Sequence, residues 1–298
     1  MSDYHLHLHP HEPSVAGPPP AEYPPDHIEA YVEAAAARGV GELGFTEHLY
    51  RCVESEGPLG RFWDGEEHRD LAEHTAGFVA EDRNLSLEAY VTAVTNAKDR
   101  GLPVKLGLEV DFFPDTIEAV SELLSPYPWD YLIGSVHWIG GWAIDSSSSL
   151  VGWDHKGLEW AWNAYFDLTV ALAGSAEVDV LAHVDLPKKY GKRLPSEPVA
   201  RYDEVIEAAV RTQTAVEVSS QGLRKPAAEV YPSPAFLRRF HAAGVPITLA
   251  SDGHFPHEAG EGHAEVVAAA RAAGYTSHLR FDRRRRYSVE LPPLSEML

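Results

Sequence analysis

Residues 3–12 read DYHLHLHPHE, and this stretch constrains the fold of the whole chain. His5, His7, His9 and His11 recur at every second position, and alternate side chains of a β-strand point to the same face. A strand that directs several imidazoles into one space predicts a site for a divalent transition metal. The alternative is a histidine-rich tail or tag, but a tag is a run of consecutive histidines, whereas leucines alternate with them here. The metal interpretation requires further ligands from the rest of the chain.

Composition narrows the class of protein. The chain has 298 residues, 44% of them hydrophobic, which fits one large globular domain spanning residues 1–298. The net charge of −20 argues against a general nucleic-acid binder, because binding to a phosphate backbone requires many Lys and Arg side chains. A small phosphorylated substrate stays possible, since metals and a few local cations can meet its charge.

Cysteine content and the N-terminus predict a cytoplasmic protein. Cys52 is the one cysteine, which rules out an intramolecular disulfide and a cysteine-rich zinc site and fits a reducing compartment. Asp3 and four histidines occupy the region where a signal peptide needs a basic start and an apolar core. No apolar run approaches the roughly 20 residues of a membrane span.

Strand-like and helix-like segments alternate along the chain. After the first strand, strands are predicted at 40–45, 103–110, 130–136, 178–182, 215–220 and 245–251, and nearly all are followed by a helical pattern. Asp26 and Asp115 are predicted to cap two of the helices, and a third is predicted to start at Ser86. Seven strands in one unbroken alternation predict an α/β fold with a parallel barrel and helices outside it.

Polar side chains of metal-ligating type follow six of these seven strands. In a parallel barrel the active site lies at the carboxyl ends of the strands. Any one of these residues has an ordinary explanation as a hydrogen-bonded loop residue or a surface carboxylate, but the coincidence at six strand ends predicts one site. The residues are His5, His7, His48, Glu109, His137, His183, Asp252 and His254.

So many nitrogen and oxygen ligands exceed the need of one tetrahedral metal and predict at least a binuclear site. Glu109, a carboxylate among imidazoles, is the expected bridge. Imidazole and carboxylate without thiolate suit Zn²⁺, Fe²⁺ or Mn²⁺. Two such metals about 3.5–4 Å apart activate a hydroxide and neutralise an oxyanion, which is the arrangement for phosphoester hydrolysis.

The motifs HLHLH, FTEH, LGLEVD, GSVH, LAHVD and ASDGH together resemble those of the PHP (polymerase and histidinol phosphatase) superfamily of metal-dependent phosphoesterases. The segment VEVSSQGLRKPAAEVYPSPAFL resembles its histidinol-phosphate phosphatase branch. The resemblance implies a distorted (β/α)7 barrel and hydrolysis of histidinol phosphate in histidine biosynthesis through a metal-bound hydroxide. It also implies a nine-ligand trinuclear site on the eight residues above and one further histidine, with Glu109, Asp252 and His254 closest to the chemistry.

The ninth ligand is where this sequence departs from the superfamily pattern. The third N-terminal histidine of the family usually lies slightly farther from the second than His11 lies from His7. We expect His11, because Pro10 breaks the strand and lets the chain turn back over the metals. His9 and Glu12 are the alternatives. If none of them binds, the site holds two metals, or three with one labile.

Substrate-binding residues are expected after the sixth strand, in GLRKP at 222–226. Arg224 and Lys225 can donate to a phosphate, although composition alone favours a solvated basic pair equally. Arg51, Lys188 and Ser219 are weaker candidates. Glu12 or Asp111 is a conjectured partner for the substrate amine.

The remaining polar features have ordinary explanations. The arginine run at 283–286 fits a strand or subunit contact better than a nucleic-acid patch, because LRF precedes it. Most other histidines are expected on the surface, namely His27, His68, His74, His155, His241, His263 and His278. Two functions compete with a histidinol-phosphate phosphatase. One is a phosphoesterase for another small monoester or nucleic-acid ends, and the other is an inactive metal-binding scaffold, which should have lost several ligands.

Overall fold

The computed structural model describes residues 1–11 and 17–296. Helices and strands alternate through most of this range, as the sequence pattern predicts. The strands are β1 Ser2–Leu6, β2 Glu42–Phe45, β3 Val104–Leu106, β4 Glu109–Asp111, β5 Ile133–Ser135, β6 Trp138–Ile139, β7 Trp142–Ala143, β8 Val180–Leu181, β9 Ala215–Ser219, β10 Ile247–Ala250, β11 Ser277–Asp282 and β12 Arg285–Glu290.

The helices lie between these strands. They are α1 Pro25–Ala36, α2 Glu56–Leu59, α3 Arg69–Asp82, α4 Leu87–Asp99, α5 Ile117–Leu124, α6 Gly152–Lys156, α7 Leu158–Ser175, α8 Val199–Thr212, α9 Pro234–Ala242 and α10 His263–Ala273. No helix in the described ranges combines the length and the apolar character that crossing a membrane requires.

Two parallel sheets form the centre of the molecule. One has the strand order β1-β2-β3 and the other β10-β9-β8-β5-β4. The predicted α/β class with parallel strands is therefore confirmed. Two antiparallel hairpins, β6–β7 and β11–β12, accompany the sheets.

The predicted strand at 103–110 is interrupted, and its two halves belong to different sheets. The Tyr131 ring lies beside the break and donates a hydrogen bond from its hydroxyl to Tyr4 O at 2.8 Å. A Cβ on Gly107 would lie 2.6 Å from Tyr131 Cζ, and one on Gly44 would lie 1.9 Å from Tyr131 Oη. The two glycines therefore make room for a buried tyrosine where the pairing changes from β3 to β4.

Short contacts connect the edges of the two sheets at the ends of their strands. Leu6 forms an isolated parallel bridge with Gly253, and His48 forms one with Glu109. The Asp3 carboxylate adds a polar link, because Oδ1 accepts from Ser251 N at 2.9 Å and Oδ2 accepts from Gly260 N at 2.8 Å. The carboxyl ends of β1, β2 and β10 and the start of β4 consequently lie next to one another.

Helix starts agree only in part with the sequence prediction. Ser86 caps α4, with its hydroxyl accepting from Ala89 N at 3.2 Å. The prediction for Asp26 is wrong, since α1 begins at Pro25, whose fixed φ suits a first helical position, and Asp26 lies in the first turn. Asp115 is also not a cap, because Thr116 precedes the first residue of α5.

Two histidines predicted on the surface are buried instead. His263 Nε2 lies 3.1 Å from Ser2 O, and His278 Nδ1 lies 3.3 Å from Ser2 Oγ. Both pack around the start of β1, in contacts between segments far apart in the sequence. The arginine run, by contrast, forms the turn of the β11–β12 hairpin and the first residues of β12, so the strand interpretation is confirmed.

Asp3→Ala should destabilise the protein by about 3 kcal/mol or more in urea unfolding. The substitution leaves the buried N–H groups of Ser251 and Gly260 without an acceptor, and hydrogen bonds to charged groups are each worth roughly 1.5–3 kcal/mol. The exposed Asp99→Ala is the matched control and should change the unfolding free energy by less than about 0.5 kcal/mol. Equal stabilities for the two variants would contradict this account of the link.

Candidate metal centre

Glu109 lies at the centre of the site and is completely buried. One of its oxygens, Oε2, lies 2.7 Å from His48 Nδ1, 3.3 Å from His5 Nε2 and 3.5 Å from His7 Nε2. These imidazoles come from β1 and from the residues after β2, which pair with each other in the first sheet. A single carboxylate oxygen therefore faces three imidazoles delivered by two neighbouring strands.

The other oxygen of Glu109 faces a second set of imidazoles. Oε1 lies 3.2 Å from His183 Nε2 and 3.4 Å from His137 Nε2. These histidines follow β8 and β5, in the five-stranded sheet. Because each oxygen of one carboxylate meets a different group of nitrogens, Glu109 has the placement of a bridge between two metal positions.

Asp252 and His254 approach from the loop after β10. Asp252 Oδ1 lies 3.5 Å from His7 Nε2 and 3.7 Å from His5 Nε2. The His254 ring stacks on the His7 ring with centroids 4.3 Å apart. Asp252 has φ 52° and His183 has φ 25°, a sparsely populated region for residues other than glycine. Strained backbone at two of these positions is typical of residues held for function.

His11 also reaches the site, at the position expected of a ninth ligand. Its Nε2 lies 3.1 Å from His48 Nε2, and its ring centroid lies 4.7 Å from that of His254. His9 turns away, with Nδ1 3.3 Å from Glu47 Oε1 and Nε2 3.3 Å from Pro19 O. Glu12, the other alternative, lies outside the described residues.

Asp82 orients His11, and the sequence pattern did not indicate it. Asp82 is the last residue of α3 and is buried. Its Oδ2 lies 3.3 Å from His11 Nδ1 and accepts a hydrogen bond from the Tyr50 hydroxyl at 2.6 Å. Arg51 Nη2 lies 3.1 Å from Asp82 Oδ1. An acceptor on Nδ1 places the proton there and leaves Nε2 to face the other imidazoles.

Carboxylates behind the site orient two more histidines. His5 Nδ1 lies 2.8 Å from Glu217 Oε2, and Glu217 Oε1 accepts from His183 N at 2.8 Å. His137 Nδ1 lies 2.9 Å from Asp111 Oδ1. Asp111 is thus engaged with a histidine and does not face a substrate amine. Glu217 could have been noticed as the one charged residue in the apolar strand AVEVS.

Several atoms at the centre have no hydrogen-bond partner among the described residues although they are buried. They include Nδ1 of His48, Nε2 of His254 and Oε2 of Glu109. Buried polar atoms are nearly always satisfied, and unpartnered ones that converge suggest a bound cation. Imidazole and carboxylate donors without thiolate fit Zn²⁺, Fe²⁺ or Mn²⁺, so the residues present fit divalent metals.

Electrostatics keep the Glu109 carboxyl ionised and divide the surrounding imidazoles into two groups. Burial raises the pKa of the Glu109 carboxyl, but His48, His5 and His137 outweigh it and hold this pKa well below its usual range. Burial lowers the pKa of His48 and of His254 well below the ordinary value, so both imidazoles are neutral. Burial also lowers the pKa of His5 and of His137, but neighbouring carboxylates outweigh it. They raise the pKa of His5 well above its ordinary value and that of His137 to about 9, so a divalent cation would displace protons from these two rings on binding.

A cavity of about 580 Å³ opens above these residues. Tyr50, Phe78, Trp138 and Phe255 form aromatic parts of its wall. Three cationic side chains also line it: Lys189, Arg224 and Lys225. The combination gives an anion-binding region and an aromatic region beside one buried carboxylate–imidazole cluster.

The predicted substrate residues divide into two groups. Arg224 and Lys225 line the cavity, whereas Ser219 is buried in β9, where its Oγ accepts from Gln221 N at 3.2 Å. Arg51 is buried too and donates to His9 O at 2.9 Å and Pro10 O at 3.1 Å, so it holds the N-terminal turn. Neither Ser219 nor Arg51 reaches the cavity.

The sequence interpretation named Lys188 as a phosphate candidate, which is wrong, and missed Lys189. It lies in KKY beside Lys188, and composition does not distinguish the two. The structure does: Lys188 Nζ is buried against Asp185 at 2.8 Å, whereas Lys189 lines the cavity and lies 2.9 Å from Asp145 Oδ2. Only the register of the short 3₁₀ turn at 186–190 decides which of the two lysines faces the cavity.

The PHP domain family matches residues 21–221, most of the chain between the first strand and the end of β9. The chain belongs to the PHP family. The resemblance inferred from the motifs is thereby confirmed. The probable histidinol-phosphatase of Deinococcus radiodurans is 32% identical over 244 residues, covering 82% of this chain and 86% of that protein. The probable histidinol-phosphatase of Schizosaccharomyces pombe is 24% identical, covering 84% and 82%.

Two solved structures share the fold. Histidinol phosphate phosphatase (HisK) from Lactococcus lactis, complexed with Zn, L-histidinol and phosphate, matches with a TM-score of 0.68 at 20% identity, covering 96% of this chain and 98% of that one. The putative histidinol phosphatase HisK from Listeria monocytogenes matches with a TM-score of 0.68 at 17% identity, covering 89% and 99%. At these identities the likeness supports the fold alone.

Elemental analysis of the purified PHP protein should find two or three divalent metals per chain. His183→Ala should lose at least one, because Glu109 Oε1 then retains His137 as its one imidazole neighbour on that side. Asp82→Ala should lose at most one, since it removes only the group that orients His11. The exposed His241→Ala is the control and should keep the full complement. A full complement in His183→Ala would refute the ligand assignment.

Proposed function

We propose that this chain hydrolyses L-histidinol phosphate to L-histidinol and phosphate in histidine biosynthesis, at a site holding two or three divalent metal ions. The observation that carries the proposal is the buried Glu109 carboxylate with imidazoles on both oxygens, beneath a cavity that contains cations and aromatic rings. Support comes from the relatives named probable histidinol-phosphatase and from the L. lactis structure with zinc, L-histidinol and phosphate.

Nine side chains are the proposed metal ligands. Glu109 and the side chains around it would hold the metal ions. When bound, the metals act as Lewis acids toward the phosphoryl oxygens and lower the pKa of water. Zinc is the first choice, with iron and manganese as alternatives for the same donors. The ligands are His5, His7, His11, His48, Glu109, His137, His183, Asp252 and His254.

Lys225 and Lys189 are the proposed phosphate-binding residues. No described residue accepts a hydrogen bond from Lys225 Nζ, and burial together with Lys189 and Arg224 lowers the pKa of its ammonium. A phosphate would relieve this concentration of positive charge. Arg224 is already engaged, because Nη2 donates to Ser251 O at 2.9 Å and Asp252 O at 3.1 Å. We therefore assign Arg224 to holding the Asp252 loop as well as to the phosphate region.

The organic part of the substrate has matching surfaces in the cavity. Tyr50, Phe78 and Trp138 can stack with an imidazole. Asp145 offers a carboxylate for the ammonium group. Burial raises the pKa of this carboxyl, but Lys189 and His137 outweigh it and bring it to about 2, so it is ionised.

Protonation of the leaving alkoxide is assigned to His254. Asp252 is the less suitable of the two predicted acids, because its Oδ2 accepts a hydrogen bond from Gln221 and its Oδ1 faces His5 and His7. His254 Nε2 has no hydrogen-bond partner among the described residues and its side chain lines the cavity. One ring nitrogen of His254 would hold a metal, and the other would carry the proton that passes to the leaving oxygen.

The finer architecture is also proposed. We infer a distorted (β/α)7 barrel in one domain spanning residues 1–298. The bridges Leu6–Gly253 and His48–Glu109 support it, since they join the two sheets at both sides. A cytoplasmic location fits Cys52, which is unpaired. The net charge of −20 supports a small substrate and no nucleic acid.

Phosphate release from L-histidinol phosphate tests the function directly. The purified protein should hydrolyse it faster than other small phosphomonoesters and single-stranded DNA or RNA. Treatment with a chelator should abolish the activity, and Zn²⁺ should restore it. Faster turnover of another monoester would overturn the substrate assignment while leaving the phosphatase chemistry intact, and nuclease activity at a comparable rate would favour nucleic-acid ends.

Lys225→Ala should lower kcat/KM for L-histidinol phosphate by about 100-fold while metal content is retained. Loss of a charge-assisted contact to a transferring phosphoryl group costs roughly 2.7 kcal/mol of transition-state stabilisation. Lys105→Ala is the control, because Lys105 pairs with Asp282 on β11 and does not line the cavity. A Lys225→Ala enzyme within roughly threefold of wild type would exclude this lysine from phosphate binding.

A further inference from the structure

A second group of metal-ligating side chains lies where α3 begins and α6 ends. It consists of His68, Asp70 and His155, and none of the three lines the cavity. His155 Nε2 lies 2.8 Å from Asp70 Oδ2, and one ligand atom from each residue lies within 4.8 Å of those of the other two. The His68 and His155 rings face each other with centroids 4.3 Å apart and an interplanar angle of 10°.

Buried contacts fix the backbone that carries these ligands. Glu66 Oε1 accepts from His68 N at 3.0 Å and from Lys156 Nζ at 2.6 Å. The Glu66 side chain is 2% exposed and that of Lys156 is 12% exposed, so this ion pair lies beneath the surface cluster. Glu66 also packs on Gly141, where a Cβ would lie 2.7 Å from Glu66 Cβ. The segments bearing His68 and His155 are therefore held at a set separation independently of any cation, and the charge of Lys156 is neutralised.

An ordinary hydrogen bond explains only part of the cluster. The Asp70–His155 contact would be complete without His68, whose ring nitrogens have no hydrogen-bond partner among the described residues. The side chains of His155 and Asp70 are partly exposed, 31% and 55% respectively. This exposure leaves room for both groups to turn toward one cation.

We propose that His68, Asp70 and His155 form a peripheral binding site for a divalent transition metal, separate from the metal centre around Glu109. Two imidazoles and one carboxylate suit Zn²⁺, with water completing the coordination. A metal there ties the start of α3 to the end of α6. Phe78 of α3 and Ser146–Ser148, which precede α6, line the cavity, so the site braces one wall of it.

Zinc titration of the purified holoenzyme tests the proposal, with the tightly bound metals already in place. Isothermal titration should show one further equivalent of Zn²⁺ in the wild type, with a rise in the thermal midpoint as binding favours the folded state. His68→Ala and His155→Ala should each lose this equivalent and the thermal shift while keeping the tightly bound metals and their phosphatase activity. His241→Ala, an exposed histidine beside Tyr275, is the matched control and should bind like the wild type.

Two results would overturn the proposal. One is a wild-type holoenzyme that takes up no further zinc. The other is a further equivalent that persists in both His68→Ala and His155→Ala, which would place the binding elsewhere on the surface. Retention of the tightly bound metals in every variant shows that folding and the Glu109 centre are intact. The zinc titration therefore tests the peripheral site even if the protein does not hydrolyse L-histidinol phosphate.

Discussion

The burial of the Glu109 carboxylate is the constraint on which the site depends. An isolated carboxylate inside a protein is strongly unfavourable unless groups around it offset its charge. Here His5, His48, His137 and His183 surround it, and they come from four different strands. The charge is therefore compatible with the fold only when both sheets bring their carboxyl ends together, and a metal-ligating arrangement is the result.

Much of this site could be predicted from the sequence because strand ends are local signals. A short apolar run followed by a histidine or a carboxylate is visible without knowledge of the fold, and parallel strands bring such ends to one edge. His137 and His183 illustrate this, since each directly follows its strand and each meets Glu109. The α/β class with parallel strands followed from the same alternation of segments.

The rest could not be predicted because it depends on contacts between distant elements. Asp82 reaches His11 from the end of α3, and nothing in its neighbours marks it as different from other helix-terminal acids. Lys189 and Lys188 are adjacent and chemically identical, yet one faces the cavity and the other a buried carboxylate. Arg51 looked like a phosphate ligand but satisfies backbone carbonyls instead. Tertiary packing and the register of local turns determine the contacts of these side chains.

The N-terminal turn shows how one strand serves two different purposes. His5 and His7 face Glu109, whereas the next histidine of the alternation, His9, pairs with Glu47. Glu47 Oε1 also accepts from Leu8 N at 2.7 Å and His9 N at 3.0 Å, so the strand ends there and the chain turns. Burial raises the pKa of the Glu47 carboxyl, but His9 and Arg51 outweigh it and bring it to about 2. The ionised Glu47 carboxylate ends the strand and thus allows His11 to return toward the site. For this reason His11 lies near His5 and His7, whereas His9 does not.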